Sequence, residues 1–134
     1  MFDSYYNNII EEVSNEFIMI EKTLDENFIK KYKEKYPNLK RVRINDDTKG
    51  IALMSKNNLV GIVNVDVKRK YIISLEVFKP YKGQGISYKL LDKAIKLGAK
   101  NLSVRKTNHI ALKTYKNHGW YIKSEDSYMY YMSK

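Results

Sequence analysis

Apolar residues recur along the chain with two kinds of spacing, and these spacings predict its helices and strands. Apolar residues three and four positions apart predict amphipathic helices, whereas short alternating or β-branched runs predict strands. Helices are predicted over residues 4–13, between Thr23 and Pro37, between Ile86 and Gly98, and over residues 109–118. Strands are predicted over residues 16–22, 41–44, 51–55, 59–67, 71–78 and 101–106, and on both sides of the C-terminal turn KSEDS.

The ends of two predicted helices carry recognisable signals. Thr23 and Glu26 have the Thr-x-x-Glu spacing of a capping box, so we expect Thr23 to cap the second helix. Pro37 is expected to end that helix. Asn108 is placed to cap the last helix, and Gly119 to allow its left-handed exit. The buried face of the second helix is predicted by residues with helical spacing: Leu24, Phe28, Ile29, Tyr32 and Tyr36.

Composition narrows the class of protein. A chain of 134 residues with 43% hydrophobic and 30% charged residues fits one globular α/β domain over residues 1–134. No apolar run is long enough to span a membrane, and the N-terminus lacks the layout of a signal peptide. With no cysteine, a disulfide framework and a thiolate nucleophile are excluded. We therefore expect a cytoplasmic protein without a membrane partner. We also expect no metal site, because His109 and His118 lie on opposite faces of their helix.

The net charge of +10 favours anionic partners such as phosphorylated cofactors, nucleic acid or membrane surfaces. A lysine-rich solvated surface explains the same excess of basic residues. The twelve tyrosines could stack on bases, but no recognised nucleic-acid-binding motif is present. Nucleic acid is therefore an unlikely partner on this pattern.

The stretch KPYKGQGISYKLL, residues 79–91, places two glycines between a predicted strand and a predicted helix. Free main-chain N–H groups and the helix dipole at such a turn attract phosphate. Gly83 and Gly85 allow close approach, Lys82 adds positive charge and Ser87 adds a hydroxyl. Neither a P-loop nor a dinucleotide fingerprint fits, since Tyr88 stands where the latter needs glycine. An ordinary strand-to-helix turn explains the stretch equally well when it is taken alone.

A second motif, NHIALKTYKNHGW, follows one helix and one strand later and places Asn108, Ala111 and Tyr115 on one helix face. Together with LEVFKPYKGQGIS it resembles the GNAT superfamily of acyl-CoA-dependent N-acetyltransferases, most firmly over residues 59–123. Lys82 replaces the usual Arg or Gln, and Ser87 replaces the usual Gly or Ala. Trp120 stands where the family pattern has Phe.

The resemblance implies a fold and a set of cofactor contacts for one N-acetyltransferase domain over residues 1–134. The fold has a mixed, mostly antiparallel sheet of six or seven strands with helices on both faces. The strands at 71–78 and 101–106 would splay apart and admit acetyl-CoA (coenzyme A). The main-chain and side-chain groups implied in binding it belong to Val77, Phe78, Lys82, Gly83, Gln84, Gly85, Ile86, Ser87 and Asn108.

The resemblance also implies direct attack of a primary amine on the thioester in a ternary complex. The N–H of Val77 would stabilise the carbonyl oxygen, and Tyr115 would protonate the departing thiolate. A phenol of pKa near 10 can do this, because a thiol of pKa near 8.5 is only slightly more acidic. Glu76 is the candidate general base, although an exposed strand carboxylate or a water chain fits equally.

The acceptor and the assembly stay open. A small-molecule amine or a peptide amine could be the acceptor, and Tyr128 and Tyr130 are candidates to line its pocket. A non-catalytic acyl-CoA-binding sensor or interaction module is the alternative, with a basic nucleic-acid-binding domain as a third hypothesis. The sequence leaves a homodimer open as well.

Overall fold

The computed structural model describes residues 19–134. The helix predicted over residues 4–13 and the start of the strand predicted over residues 16–22 lie outside the described residues. The strands are β1 (Ile20–Thr23), β2 (Thr48–Ser55), β3 (Asn58–Asp66), β4 (Tyr71–Val77), β5 (Asn101–Arg105), β6 (Tyr121–Glu125) and β7 (Met129–Ser133). The helices are α1 (Glu26–Tyr32), α2 (Ile86–Lys96) and α3 (His109–Asn117), and short 3₁₀ turns span Pro37–Arg41 and Lys79–Tyr81.

The seven strands of residues 19–134 form one mixed sheet in the order β1-β2-β3-β4-β5-β7-β6. All neighbouring strands are antiparallel except β4 and β5, which are parallel. These two strands pair only at Tyr71 and Asn101, the first residue of each. From there to their C-terminal ends β4 and β5 separate, which confirms the predicted splayed pair.

Two apolar cores, one on each face of the sheet, follow from the alternation of side chains along the strands. On β2, Leu53 contributes to one core and its neighbours Ala52 and Met54 to the other. The larger core packs α2 and α3 against the sheet, and the smaller core packs α1 against the opposite face. The predicted arrangement with helices on both faces is therefore confirmed.

A glycine on β3 sets the distance between α2 and the sheet. A Cβ atom at Gly61 would lie 2.9 Å from Leu90 Cδ1 and 3.0 Å from the Glu76 carbonyl oxygen. The first distance is shorter than real Cβ atoms show and the second is tighter than most of their contacts, so glycine allows α2 to pack tightly over β3 and β4. This packing fixes the start of α2 beside the end of β4.

The predicted capping box was wrong. Thr23 is the last residue of β1 and pairs with Ile51, so its backbone belongs to the sheet. Asp25 caps α1 instead, because its Oδ1 accepts a hydrogen bond of 2.9 Å from the Phe28 N–H. The predicted apolar face of this helix is nevertheless correct, since Leu24 and Phe28 are buried in the smaller core.

The segment after α1 also differs from the prediction. The helix ends at Tyr32, short of Pro37, and Pro37 begins a 3₁₀ turn. The strand predicted over residues 41–44 is absent from the sheet. The Arg43 N–H donates instead to the Asn64 side-chain oxygen at 2.9 Å. A buried side chain thus replaces the neighbouring strand as hydrogen-bond partner of this segment.

Candidate active site

A cleft of about 550 Å³ opens where β4 and β5 separate. It is bounded by the end of β4, the glycine turn, the start of α2 and one face of α3. The two sequence motifs, which are separated by a helix and a strand along the chain, therefore meet in one cavity. The predicted site residues that line it are Glu76, Val77, Lys82, Gly83, Gly85, Ile86, Ser87, Asn108 and Tyr115.

The glycine turn presents free main-chain donors to this cleft. Gly83 and Gly85 have φ angles of 81° and 78°, a left-handed backbone that favours glycine. In the described part of the chain, the N–H groups of residues 83–85 donate no hydrogen bond. The first N–H groups of α2 lack intrahelical partners by geometry, and no side chain caps this end. The turn can therefore bind an anion through its backbone.

Lys82 and Ser87 flank these donors. Both side chains line the cleft, Lys82 exposed and Ser87 half-buried. No acidic side chain among residues 19–134 pairs with Lys82. Its charge is thus free to add to the helix dipole at the N-terminus of α2.

The main chain of Val77 points into the gap between β4 and β5. The next residue, Phe78, donates its N–H to the Val60 carbonyl on β3 at 2.9 Å. Because successive main-chain groups of a strand point to opposite sides, the Val77 N–H is directed away from β3. It is thus available to a molecule that enters between the splayed strands.

Two residues of the predicted binding set do not line the cleft. The ring of Phe78 packs edge-to-face on Tyr36 at 5.2 Å, and its carbonyl accepts the Tyr81 N–H. Phe78 therefore belongs to the smaller core, and we leave it out of the binding set proposed below. The Gln84 side chain lies 3.5 Å from the Pro80 carbonyl, outside the cleft, so only its main-chain N–H stays in the set.

Asn108 caps α3, as predicted. Its Oδ1 accepts the Ala111 N–H at 3.1 Å, which leaves its side-chain NH₂ free to donate into the cleft. Ile110 and Thr114 on the same helix also line the cleft, although the sequence did not single them out. Ile110 is 84% exposed, so this wall of the cleft offers apolar surface.

Tyr115 lines the cleft and is partly buried against the larger core. Burial raises its pKa above the ordinary value of a phenol. The hydroxyl has no hydrogen-bond partner among the described residues. Tyr115 is therefore a protonated group at neutral pH whose O–H is free to donate.

Glu76 is held by a residue that the sequence did not indicate. The Asn38 side-chain NH₂ donates to Glu76 Oε2 at 2.9 Å. Asn38 lies in the 3₁₀ turn 38 residues before Glu76, so no local pattern could have found this contact. A second pocket of about 270 Å³ contains Asn38 and Arg41, and it shares Leu75, Glu76 and Tyr115 with the cleft.

Three further residues named in the sequence analysis lie away from the cleft. Tyr128 is 74% exposed, whereas Tyr130 packs on the larger core beneath the Lys106 ammonium group. Neither tyrosine lines the cleft or the second pocket. His118 follows the last residue of α3, and its Nε2 lies 2.7 Å from Asp92 of α2. This contact ties the two helices that form the walls of the cleft.

The comparison with family models identifies one match. The model described as an acetyltransferase (GNAT) domain matches residues 9–129. No curated protein matches the chain. The family model thus includes both motifs and every residue that lines the cleft.

Solved structures share the fold at low sequence identity. The Escherichia coli ribosomal-protein-S18-alanine N-acetyltransferase superposes with a TM-score of 0.67 at 15% identity, covering 86% of this chain and 92% of that one. The Thermoplasma acidophilum PaiA N-acetyltransferase in complex with coenzyme A superposes with a TM-score of 0.60 at 20% identity, covering 82% of this chain and 79% of that one. Arabidopsis thaliana NAA60 in complex with acetyl-CoA superposes with a TM-score of 0.62 at 14% identity, covering 87% of this chain and 98% of that one. At these identities the likeness shows the fold alone.

Proposed function

Because this chain belongs to the GNAT acetyltransferase family, we propose that it transfers an acetyl group from acetyl-CoA to a primary amine. The observation that carries the proposal is the cleft itself. Free main-chain donors at residues 83–85, the inward N–H of Val77 and the Tyr115 hydroxyl all meet there. Two of the solved structures with this fold contain coenzyme A or acetyl-CoA, which supports the choice of cofactor.

The residues of the glycine turn fit a pyrophosphate group. The N–H groups from Gly83 to Ser87 and the dipole of α2 would hold its negative charges. A Cβ atom at Gly83 or Gly85 would meet no protein atom within 4 Å, so the space where a side chain would begin is open at both positions. Lys82 adds a point charge but lacks the planar fork of arginine. Asn108 would hold the pantetheine arm through its free NH₂ group.

When bound, acetyl-CoA supplies an activated thioester carbonyl. Glu76 accepts one proton from the incoming ammonium, directly or through water, which frees the nitrogen lone pair. The Val77 N–H would stabilise the negative charge that develops on the carbonyl oxygen when the amine attacks, a contribution of about 3 kcal/mol. Tyr115 would donate its phenolic proton to the departing thiolate. The proton that the amide nitrogen loses would restore the phenol through solvent, and Glu76 would release its own extra proton to solvent.

A thiol-release assay on the full chain tests the proposal. Acetyl-CoA is offered with polyamines, aminoglycosides, amino acids and peptides, and we expect free thiol with at least one amine. Tyr115→Phe removes the acid and should lower kcat by about a hundredfold or more. Its affinity for coenzyme A, measured by calorimetry, should stay within about twofold of wild type. Tyr121→Phe is the matched control, since Tyr121 is 56% exposed on β6 and outside the cleft.

The outcomes separate the rival functions. Coenzyme A binding without thiol release from any amine would favour a non-catalytic acyl-CoA-binding module. Unchanged turnover in Tyr115→Phe would contradict the role of its phenol. Salt-dependent retention of DNA or RNA, with no binding of coenzyme A, would favour the nucleic-acid hypothesis.

A further inference from the structure

The second pocket combines two opposite charges that do not neutralise each other. Arg41, at the end of the 3₁₀ turn Pro37–Arg41, and Glu76, near the end of β4, both contribute to its lining. No ion pair joins them, and no other carboxylate among residues 19–134 pairs with Arg41. The pocket therefore keeps one cationic and one anionic side chain available to a ligand.

Asn38 fixes the anionic side of this pocket. Its NH₂ group donates to one carboxylate oxygen of Glu76 at 2.9 Å and leaves the other oxygen without a partner among the described residues. Asn38 lies three residues before Arg41 in the same 3₁₀ turn. One short turn thus both positions Glu76 and supplies the arginine.

The pocket leads toward the cleft through shared walls. Leu75, Glu76 and Tyr115 line both cavities, which lie at the splayed ends of β4 and β5. A group bound beside Glu76 therefore lies in a pocket that Tyr115 also lines. The volume of about 270 Å³ is below the usual range of roughly 300–1,000 Å³ for drug-sized ligands. A ligand of the size of an amino acid fits that volume better than an oligosaccharide does.

We propose that this pocket binds a small amino acid, with its carboxylate on Arg41 and its ammonium on Glu76. The inference rests on the proposed acetyl transfer, for which it names the class of acceptor. An arginine can hold a carboxylate through two parallel hydrogen bonds, which gives orientation as well as affinity. Because Glu76 also lines the cleft and Arg41 does not, an ammonium held on Glu76 is directed toward the cleft.

Calorimetry on the protein saturated with coenzyme A tests the assignment without requiring turnover. The probes are free L-amino acids, each matched with its L-amino-acid amide, so that only the carboxylate differs. We expect at least one amino acid to bind about tenfold or more tightly than its amide. Arg41→Ala should remove that preference, and Arg41→Lys should retain part of it. Arg43→Ala is the matched control, an exposed arginine two positions away that does not line the pocket.

The results of this experiment either support or contradict the assignment of the pocket to an amino acid. Amides that bind as well as the acids, or no binding of any amino acid, would overturn the assignment. The same holds if Arg43→Ala removes the preference as fully as Arg41→Ala does. Amino-acid binding without thiol release from acetyl-CoA would contradict the proposed transfer and leave the assignment of the pocket standing. Preferential binding of peptides with a free N-terminus over free amino acids would point to a different acceptor and overturn it.

Discussion

Tyr115 illustrates how the surroundings of one side chain suit it to the acid role that we propose for it. Its side chain packs on the larger core and also lines the cleft. The loss of hydration disfavours the phenolate, so the pKa of Tyr115 is raised. A tyrosine on an exposed helix face would also be protonated at neutral pH. Burial widens the pH range over which the proton is available.

The raised pKa of Tyr115 predicts a pH-dependent contribution to stability. A group whose pKa is higher in the folded state contributes stability that is full below its unfolded pKa, near 10, and is lost as pH rises further. The free energy of unfolding of wild type should therefore fall more steeply above about pH 10 than that of Tyr115→Phe. Urea unfolding of both proteins at several pH values measures the difference.

The other ionisable groups are common to both proteins, so their effects cancel in the comparison. Tyr131, for example, also has a raised pKa, because its hydroxyl donates to Asp126. Parallel curves for wild type and Tyr115→Phe up to about pH 11 would show that burial does not hold the Tyr115 proton.

The N-terminus of α2 is the element on which the proposed cofactor site depends. Its donors are free because Gly83 and Gly85 turn the chain with positive φ angles and no side chain caps the helix. The position of this helix comes from elsewhere, since Gly61 on β3 lets Leu90 pack closely. Local sequence therefore makes the turn, and the packing of α2 on the sheet aims it at the cleft.

Gly85→Glu should abolish coenzyme A binding and leave the fold intact. The new carboxylate would repel the pyrophosphate and occupy its place, so we expect a loss of affinity of at least about a hundredfold by calorimetry. The positive φ angle costs the folded state about 1–2 kcal/mol. Gly98→Glu is the matched control, with a φ angle of 101° and open space around it, outside the cleft. It should lose similar stability and keep its affinity for coenzyme A. Unchanged coenzyme A affinity in Gly85→Glu would refute the proposed pyrophosphate site at the glycine turn.

The whole molecule carries a net charge of +10, which acts on ligands over longer distances than any single contact. The residues from 19 to 134 contain no helix long and apolar enough to cross a membrane. Coenzyme A is anionic, so the positive field of the protein should attract it. Screening limits this attraction, because the Debye length falls from about 30 Å at 0.01 M salt to about 3 Å at 1 M.

The association rate constant for coenzyme A should therefore fall as salt is raised, which stopped-flow measurements can follow. Lys82→Gln removes a charge at the cleft and should reduce both the rate at low salt and its salt dependence. Lys40→Gln removes an equal charge from an exposed position in the 3₁₀ turn, outside the cleft, and should change both less. Equal effects of the two substitutions would show that only total charge matters and that Lys82 has no local role.

The sequence by itself determined most of the elements of residues 19–134, the two motifs and most of the cleft lining. These follow from local rules: apolar spacing, the demand of positive φ for glycine, and the cap at Asn108, whose partner Ala111 is three residues away. Local rules gave a wrong prediction at Thr23, where backbone pairing with β2 replaced the predicted helix cap.

Only the tertiary structure decided which distant groups meet. Asn38 contacts Glu76 across 38 residues, Arg41 and Glu76 share a pocket, and Phe78 turns toward Tyr36 instead of the cleft. Such contacts depend on how the sheet twists and how the helices pack on it. The spacing of residues along the sequence does not indicate which distant residues will meet. The lining of the cleft could therefore be predicted from its motifs, whereas the pocket that we propose for the acceptor required the fold.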